Sequence, residues 1–402
     1  MSKTDLDIQT FLSRWVFVWI LIFLSSLIFS IALMEIAFAA AFAGWLILKT
    51  QKRTPFIFKW KLFFPLAGFV FLCVLSFFWS EFPKESFRGV FKILKQFLIF
   101  WMAAETLSYP SRHRLADRTL VILFLVLGVD GICQYIFGFD LIRHLPLELA
   151  SSGPRVSASF KNYGLLAAFV VTFLPLLFSP TEKGEKKRFS FLRILGVALG
   201  LQLIFWTRSR GAWVAFGGVL AFYLAFEKKK IYLLLLGLLS LITLFLLPRS
   251  MLIHIDYWGK EQSLIERFYL WDRALQVIEA RPLTGTGINT YAVAHQAFDK
   301  RRSWRVRNYY AHNGYMQMAA ETGLPSLFFF LAFIFLYFKE AFGAVKIAEG
   351  NSRRKLVGML AGIWGFLILC GIDTVFHNPQ VVMGFWFLAG WGVACQERQL
   401  LS

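Results

Sequence analysis

Apolar and polar stretches alternate along almost the whole chain, and the alternation predicts a series of membrane-spanning helices. The apolar runs cover about 14–31, 33–48, 62–79, 89–107, 119–137, 162–179, 191–206, 211–226, 231–247, 323–338, 356–373 and 379–395. Most of these are near the length of ~20 residues that a hydrocarbon core of ~30 Å requires, and the shorter ones suit a thin or locally adapted bilayer. The first two run almost into one another without a convincing signal-peptide cleavage site, so both read as retained spans, with Glu35 at an interface if they form a hairpin. The expected fold is an all-α polytopic membrane protein of about twelve transmembrane helices. Residues 1–247 form an N-terminal membrane bundle of about nine spans, 248–322 a large external loop, and 323–402 a C-terminal bundle of about three spans with a short tail.

Within the long loop, Leu264, Phe268, Trp271, Leu275 and Ile278 recur at helical spacing between Glu261 and Glu279. Pro282 and the Gly285-Thr286-Gly287 run break that pattern, and a second helix is expected from near His312 or Asn313 to Glu321. Such amphipathic pieces either lie along the membrane surface above a cavity or pack a small loop domain.

Composition fits this picture. The 402 residues are 57% hydrophobic and include 46 Phe and 14 Trp, with a mean hydropathy of +0.59. A water-facing exterior requires more polar surface than that leaves. Charge then orients the chain. Basic residues crowd alternate loops: Lys49, Lys52, Arg53, Lys59 and Lys61; Arg112, Arg114 and Arg118; Lys183 to Arg193; Lys228 to Lys230; and Lys339 to Lys355. By the positive-inside rule these loops and both termini are cytoplasmic. The formal charge of +19 therefore reads as membrane orientation, not as a nucleic-acid surface, because the charges flank spans.

The opposite face comprises 80–88, 138–161, 207–210, 248–322 and 374–378, and holds most of the residues able to do chemistry. Cys73, Cys133, Cys370 and Cys395 lie in or near spans without metal-ligand spacing and read as packing residues. There is no zinc-protease motif, phosphate-binding glycine loop or serine elbow, and no metal or cofactor is expected. What remains is cationic and polar: Arg155 just before a span, Arg208 and Arg210 around Ser209, Arg267 in the loop helix, and His312-Asn313 at the second loop helix. Each alone reads equally as a snorkelling or locally paired residue. Together, guanidinium forks converging at an interface suit a diphosphate whose lipid tail stays in the bilayer.

These pieces resemble the O-antigen ligase and O-antigen polymerase superfamily. The resemblance is carried by Arg155 through Asn162, Ser209-Arg210-Gly211-Ala212-Trp213, Arg267 with Trp271 and Ala274, Pro282-Leu283 with Gly285-Thr286-Gly287, Ala311-His312-Asn313-Gly314-Tyr315, and Glu321-Thr322-Gly323. It implies a GT-C-like, metal-independent, inverting glycosyltransferase in the bacterial inner membrane, with its active site on the periplasmic side. The donor would be a glycan on undecaprenyl diphosphate and the acceptor lipid A-core. The alternatives are a polymerase or related surface-glycan transferase with lipid-linked glycans on both sides and, in a different class, a transporter, which would distribute its polar residues through the membrane.

By that resemblance Arg210 and Arg267 contact the donor diphosphate with help from Arg155, and His312 lies beside the reacting groups as base or diphosphate contact. Arg208 either stabilises its turn or contacts the donor, and Asn313, also a substrate-binding candidate, either orients His312 or, as the favoured reading, caps its helix. Asp373 and His377 would line the acceptor entrance. Glu321, nine residues after His312, would face away from it in a regular helix and serve a structural role. Trp206, Trp213 and Trp271 are candidates for sugar stacking or interface anchoring.

Overall fold

The computed structural model describes residues 3–52, 60–150, 153–179, 187–226, 262–298 and 310–401. In chain order its helices are α1 (Lys3–Ser26), α2 (Ile31–Lys52), α3 (Trp60–Leu75), α4 (Pro83–Thr106), α5 (Pro110–Phe137), α6 (Tyr163–Phe173), α7 (Lys187–Thr207) and α8 (Arg210–Phe226). After these come α9 (Gln262–Ala280), α10 (Tyr291–Ala294), α11 (Gly314–Ile347), α12 (Gly350–Ile372) and α13 (Pro379–Leu401).

Among the described residues, seven helices are long and apolar enough to cross a membrane: Ile8–Ser26, Ile31–Thr50, Lys61–Trp79, Pro110–Phe137, Lys187–Thr207, Leu324–Ile347 and Gly350–Ile372. Tyr163–Phe178 and Arg210–Phe226 are apolar but shorter. The expected spans 89–107 and 379–395 are helical, within α4 and α13, but fall outside that group, and 231–247 lies outside the described residues. The chain is thus a multi-pass helical membrane protein with seven candidate spans by length and composition.

The break between the first two helices falls at Leu27–Ser30, a few residues earlier than expected. The Ser25 and Ser26 hydroxyls turn back to the Leu21 and Phe23 carbonyls, and the Ser30 hydroxyl accepts from the Leu33 amide at the start of α2. Glu35 then pairs with Lys95 of α4.

The all-α expectation also needs one amendment. After α5 ends on the left-handed Gly138, the chain forms a short antiparallel hairpin, β1 (Glu148–Ala150) with β2 (Gly153–Arg155). Its base is fixed by two polar side chains. The Asp140 carboxylate accepts from the Ile142, Arg143 and Leu145 amides, while Gln134 Oε1 accepts from the Ser157 and Ala158 amides at 2.8 Å each.

The α12 helix sits at the centre: 78% of its apolar window is buried, against 22–50% for the other six. It packs on α6, α8, α11 and α13. At one end, Asp117 of α5 takes both Arg193 of α7 and Lys355 of α12, a buried cluster joining three helices. Nearby, Trp386 of α13 meets Phe69, Phe100, Phe330 and Phe333 and donates its indole N–H to Gln96. Close contact of α13 with α4 depends on Gly390, where a Cβ would stand 2.1 Å from the Phe100 carbonyl oxygen.

The loop helix α9 lies on the outside of this assembly, and its expected apolar stripe is not the buried one. Phe268 and Leu275 are exposed, while Leu270, Ala274 and Val277 are buried with Tyr291, Ala311 and Ala320. Phe268 and Leu275 point outward, while Ala274 and Val277 bring α9 against α11.

Candidate active site

The site forms where three chain segments end together. The α11 helix begins at Gly314 because Asn313 caps it, its side-chain oxygen accepting from the Tyr315 and Met316 amides at 3.1 Å each. The Asn313 amide nitrogen donates to the Gly371 carbonyl at 3.1 Å, and the Tyr315 hydroxyl donates to the Leu367 carbonyl at 2.8 Å. The start of α11 is thereby fastened to the last turn of α12. His312, immediately before the cap, adopts a left-handed backbone with φ 48°, a conformation that costs on the order of 1–3 kcal/mol in a non-glycine residue and persists only where its surroundings impose it.

That conformation turns the imidazole toward the residue that ends α12. His312 Nδ1 lies 2.8 Å from Asp373 Oδ1, and the Thr374 amide donates to the same oxygen at 2.7 Å. Burial alone would raise the Asp373 pKa, but the His312 hydrogen bond and charge, the Thr374 amide and the nearby Arg267 hold it below the ordinary carboxylate range. An ionised Asp373 can only accept, so Nδ1 is the nitrogen that donates in this pair.

Arg267, on α9, donates from Nη1 to the Ile372 carbonyl at 3.1 Å, directly beside Asp373. Arg210 begins α8, and the next residue, Gly211, lies against Ile372. Three of the expected residues, Arg267, His312 and Asp373, therefore meet at residues 372–373, and the exposed Arg210 begins the helix whose Gly211 lies against Ile372. Asp373 was expected at an acceptor entrance; the geometry makes it the partner of His312.

Arg155 and Arg208 are arranged differently. Arg155 sits on β2, 3.4 Å from Glu148 Oε1 and 4.5 Å from the centre of the Tyr163 ring. Arg208 has a left-handed backbone, φ 49°, and lays its guanidinium on Gly153, where any Cβ would fall 2.5 Å from Nη1. The two cations therefore belong to the hairpin, which the Val156 amide ties to the Trp206 carbonyl at 3.1 Å.

The tryptophan candidates are engaged with protein rings. Trp206 stacks on Tyr135 at 4.5 Å, Trp213 stacks on Phe205 at 6.3 Å, and Trp271 meets Phe268 edge-on at 5.4 Å. Glu321 takes the structural role expected of it, through partners that sequence spacing did not reveal. Its carboxylate accepts from the Asn289 amide at 2.7 Å, the Tyr291 amide at 3.1 Å and the Gln317 side chain at 2.9 Å, and its carbonyl accepts from the Gly287 amide at 2.8 Å. It thereby clamps the Gly285-Thr286-Gly287 turn onto α11. Burial nevertheless pushes its pKa upward.

Residues 195–331 match the family described as O-antigen ligase. The exopolysaccharide production protein ExoQ of Rhizobium meliloti (strain 1021) is 21% identical over 397 residues, covering 89% of this chain and 83% of that protein. The family match runs from within α7 through α8, α9 and α10 into α11 and includes Arg210, Arg267 and His312, while the relationship to ExoQ extends over nearly the whole chain. The two matches support assignment of the chain to the superfamily of O-antigen ligases and O-antigen polymerases, whose resemblance the sequence carries.

Proposed function

We propose that the protein is an inverting glycosyltransferase that moves a glycan from undecaprenyl diphosphate onto a second undecaprenyl-diphosphate-linked glycan, as a surface-polysaccharide polymerase or closely related transferase. The observation that carries this reading is the His312–Asp373 pair with Arg267 hydrogen-bonded to the adjoining Ile372 carbonyl. In the proposed reaction, His312 Nε2 removes the proton from the acceptor hydroxyl as its oxygen attacks the anomeric carbon. The bond from that carbon to the diphosphate oxygen breaks with inversion, and its electron pair leaves with the diphosphate. Arg267 and Arg210 stabilise the charge developing there, a task for which guanidinium groups remain protonated and geometrically matched. Asp373 holds the histidine tautomer and stabilises the imidazolium that forms. Arg155, on the hairpin, and Arg208, between α7 and α8 with its guanidinium on Gly153, would guide the diphosphate toward this pair of arginines.

The near-whole-chain relationship to an exopolysaccharide production protein favours this acceptor class over lipid A-core, which the sequence analysis put first. Transfer to lipid A-core is the second reading, favoured by the O-antigen ligase description of residues 195–331. In either case we assign the chain to the bacterial inner membrane, with cytoplasmic termini, a periplasmic site and a GT-C-like arrangement of about twelve spans. That count includes α4, α13, the two shorter helices and 231–247. Confinement of Arg210, Arg267, His312 and Asp373 to one end of the bundle argues against a transporter.

The test is reconstitution in liposomes with an undecaprenyl-diphosphate glycan as donor and either a second lipid-linked glycan or lipid A-core as acceptor. Extension of the lipid-linked glycan, abolished in His312→Ala, is expected. Product on lipid A-core alone would replace the polymerase reading with the ligase.

A further inference from the structure

A cavity with more apolar than polar surface lies between α3, α4, the 285–289 turn, the start of α11 and the 373–378 turn, one or two residues along the chain from His312 and Asp373. Lys92, Gln96, Asn289, Gln317, Glu321 and His377 line it, and its wall includes Gly314, two residues after His312, and Thr374, next to Asp373. Its volume of about 90 Å³ holds on the order of six waters at 10–15 Å³ each, and a single hexose ring displaces a similar amount. Phe69 and Phe376 also face it, giving apolar surface for the C–H face of a sugar.

Its charge is specific. Among the described residues, Lys92 Nζ bonds only Asn289 Oδ1, at 2.8 Å, leaving two of its three donor hydrogens open. The carboxylate of Glu321 is occupied by Asn289, Tyr291 and Gln317 and does not bond Lys92. Gln96 uses its oxygen on Trp386, so its amide N–H groups remain for a ligand. His377 Nε2 hydrogen-bonds the Tyr310 phenol and adds no cation, because burial holds it neutral with a pKa lowered to about 3.

We propose that this cavity is the acceptor-sugar subsite and that it takes a ring bearing a carboxylate, the carboxylate on Lys92 and a hydroxyl on Gln96. The ring's edge toward Gly314 and Thr374 then directs a second hydroxyl at His312. This rests on the transferase reading above, in which His312 is the base.

The test is saturation-transfer NMR on the full-length protein in lipid nanodiscs, with glucuronate and glucose as probes. Glucuronate is expected to bind the wild type at least several-fold better than glucose. Lys92→Met should weaken glucuronate by about tenfold, the size expected for one charge-assisted hydrogen bond, and Lys92→Arg should restore most of it. Equal signals from the two sugars, or equal glucuronate signals in wild type and Lys92→Met, overturn the proposal. The comparison of the two sugars on the wild type decides even if a Lys92 variant does not fold. Release of glycan from the undecaprenyl-diphosphate donor by the wild type checks the transferase reading separately, so the failure of one is not mistaken for the failure of the other.

Discussion

His312 Nδ1 and Asp373 Oδ1 are 2.8 Å apart, although 60 residues separate them and each belongs to the end of a different helix. Asp373→Asn keeps the shape of the pair but permits the wrong imidazole tautomer. It should lower kcat by about 10²–10⁴-fold, the range spanned by positioned general bases, with donor KM little changed. Single-turnover transfer measurements check this. A donor KM that rises while kcat is kept would instead mark Asp373 as a binding residue.

Arg267 is assigned to the leaving diphosphate. Loss of one charge-assisted hydrogen bond of about 1.5–3 kcal/mol corresponds to roughly 10–100-fold in donor kcat/KM for Arg267→Ala. Arg267→Lys should recover only part of it, since an ammonium cannot hold both the Ile372 carbonyl and a phosphate oxygen in one plane. Full activity in the lysine variant would place Arg267 outside the donor site.

Replacing Glu321 by Ala strands the Asn289 and Tyr291 amides at the 285–291 turn. Each buried amide left unpaired costs about 1–3 kcal/mol, so the melting temperature in detergent should fall by several degrees. Glu321→Gln keeps one acceptor oxygen and should lose less.

His377 has a folded-state pKa of about 3 against an ordinary value of 6.5. The unfolded chain therefore binds the proton first, and stability declines as pH falls from about 6.5 toward about 3. His377→Gln should flatten melting temperature against pH over that interval. An unchanged slope would assign the acid sensitivity to other groups.

Topology has a direct check in a cysteine-free background. Ser352→Cys, exposed near the start of α12, should react with a membrane-impermeant maleimide only after permeabilisation. Glu279→Cys, exposed on α9, should react in intact spheroplasts. The reverse pattern would invert the orientation drawn from the basic loops.

Much of the helical plan was legible because apolar runs and their basic flanks report on the lipid directly, and the Asn313 cap was legible because capping is local. Legibility stopped where contacts joined distant segments. Asp373 is a lone acid at a helix end until its pairing with His312 is seen. Glu321 reads as a residue on the far face until the 285–291 turn supplies its donors. The stripe on α9 misled for a different reason: periodicity marks an apolar face, but either a protein core or a bilayer can receive it, and here Ala274 rather than Phe268 faces protein. The hairpin at 148–155 was missed because its strands are only three residues each.

The fastening of Asn313 to Gly371 and of Tyr315 to Leu367 gives the bundle the character of a caliper. One jaw is the first turn of α11, the other the last turn of α12, and the histidine and aspartate are their tips. An axial slip equal to a single residue's rise, about 1.5 Å, would stretch a hydrogen bond beyond its useful range. The two fastenings hold the tips in register against such a slip when the surrounding bilayer thickens or thins.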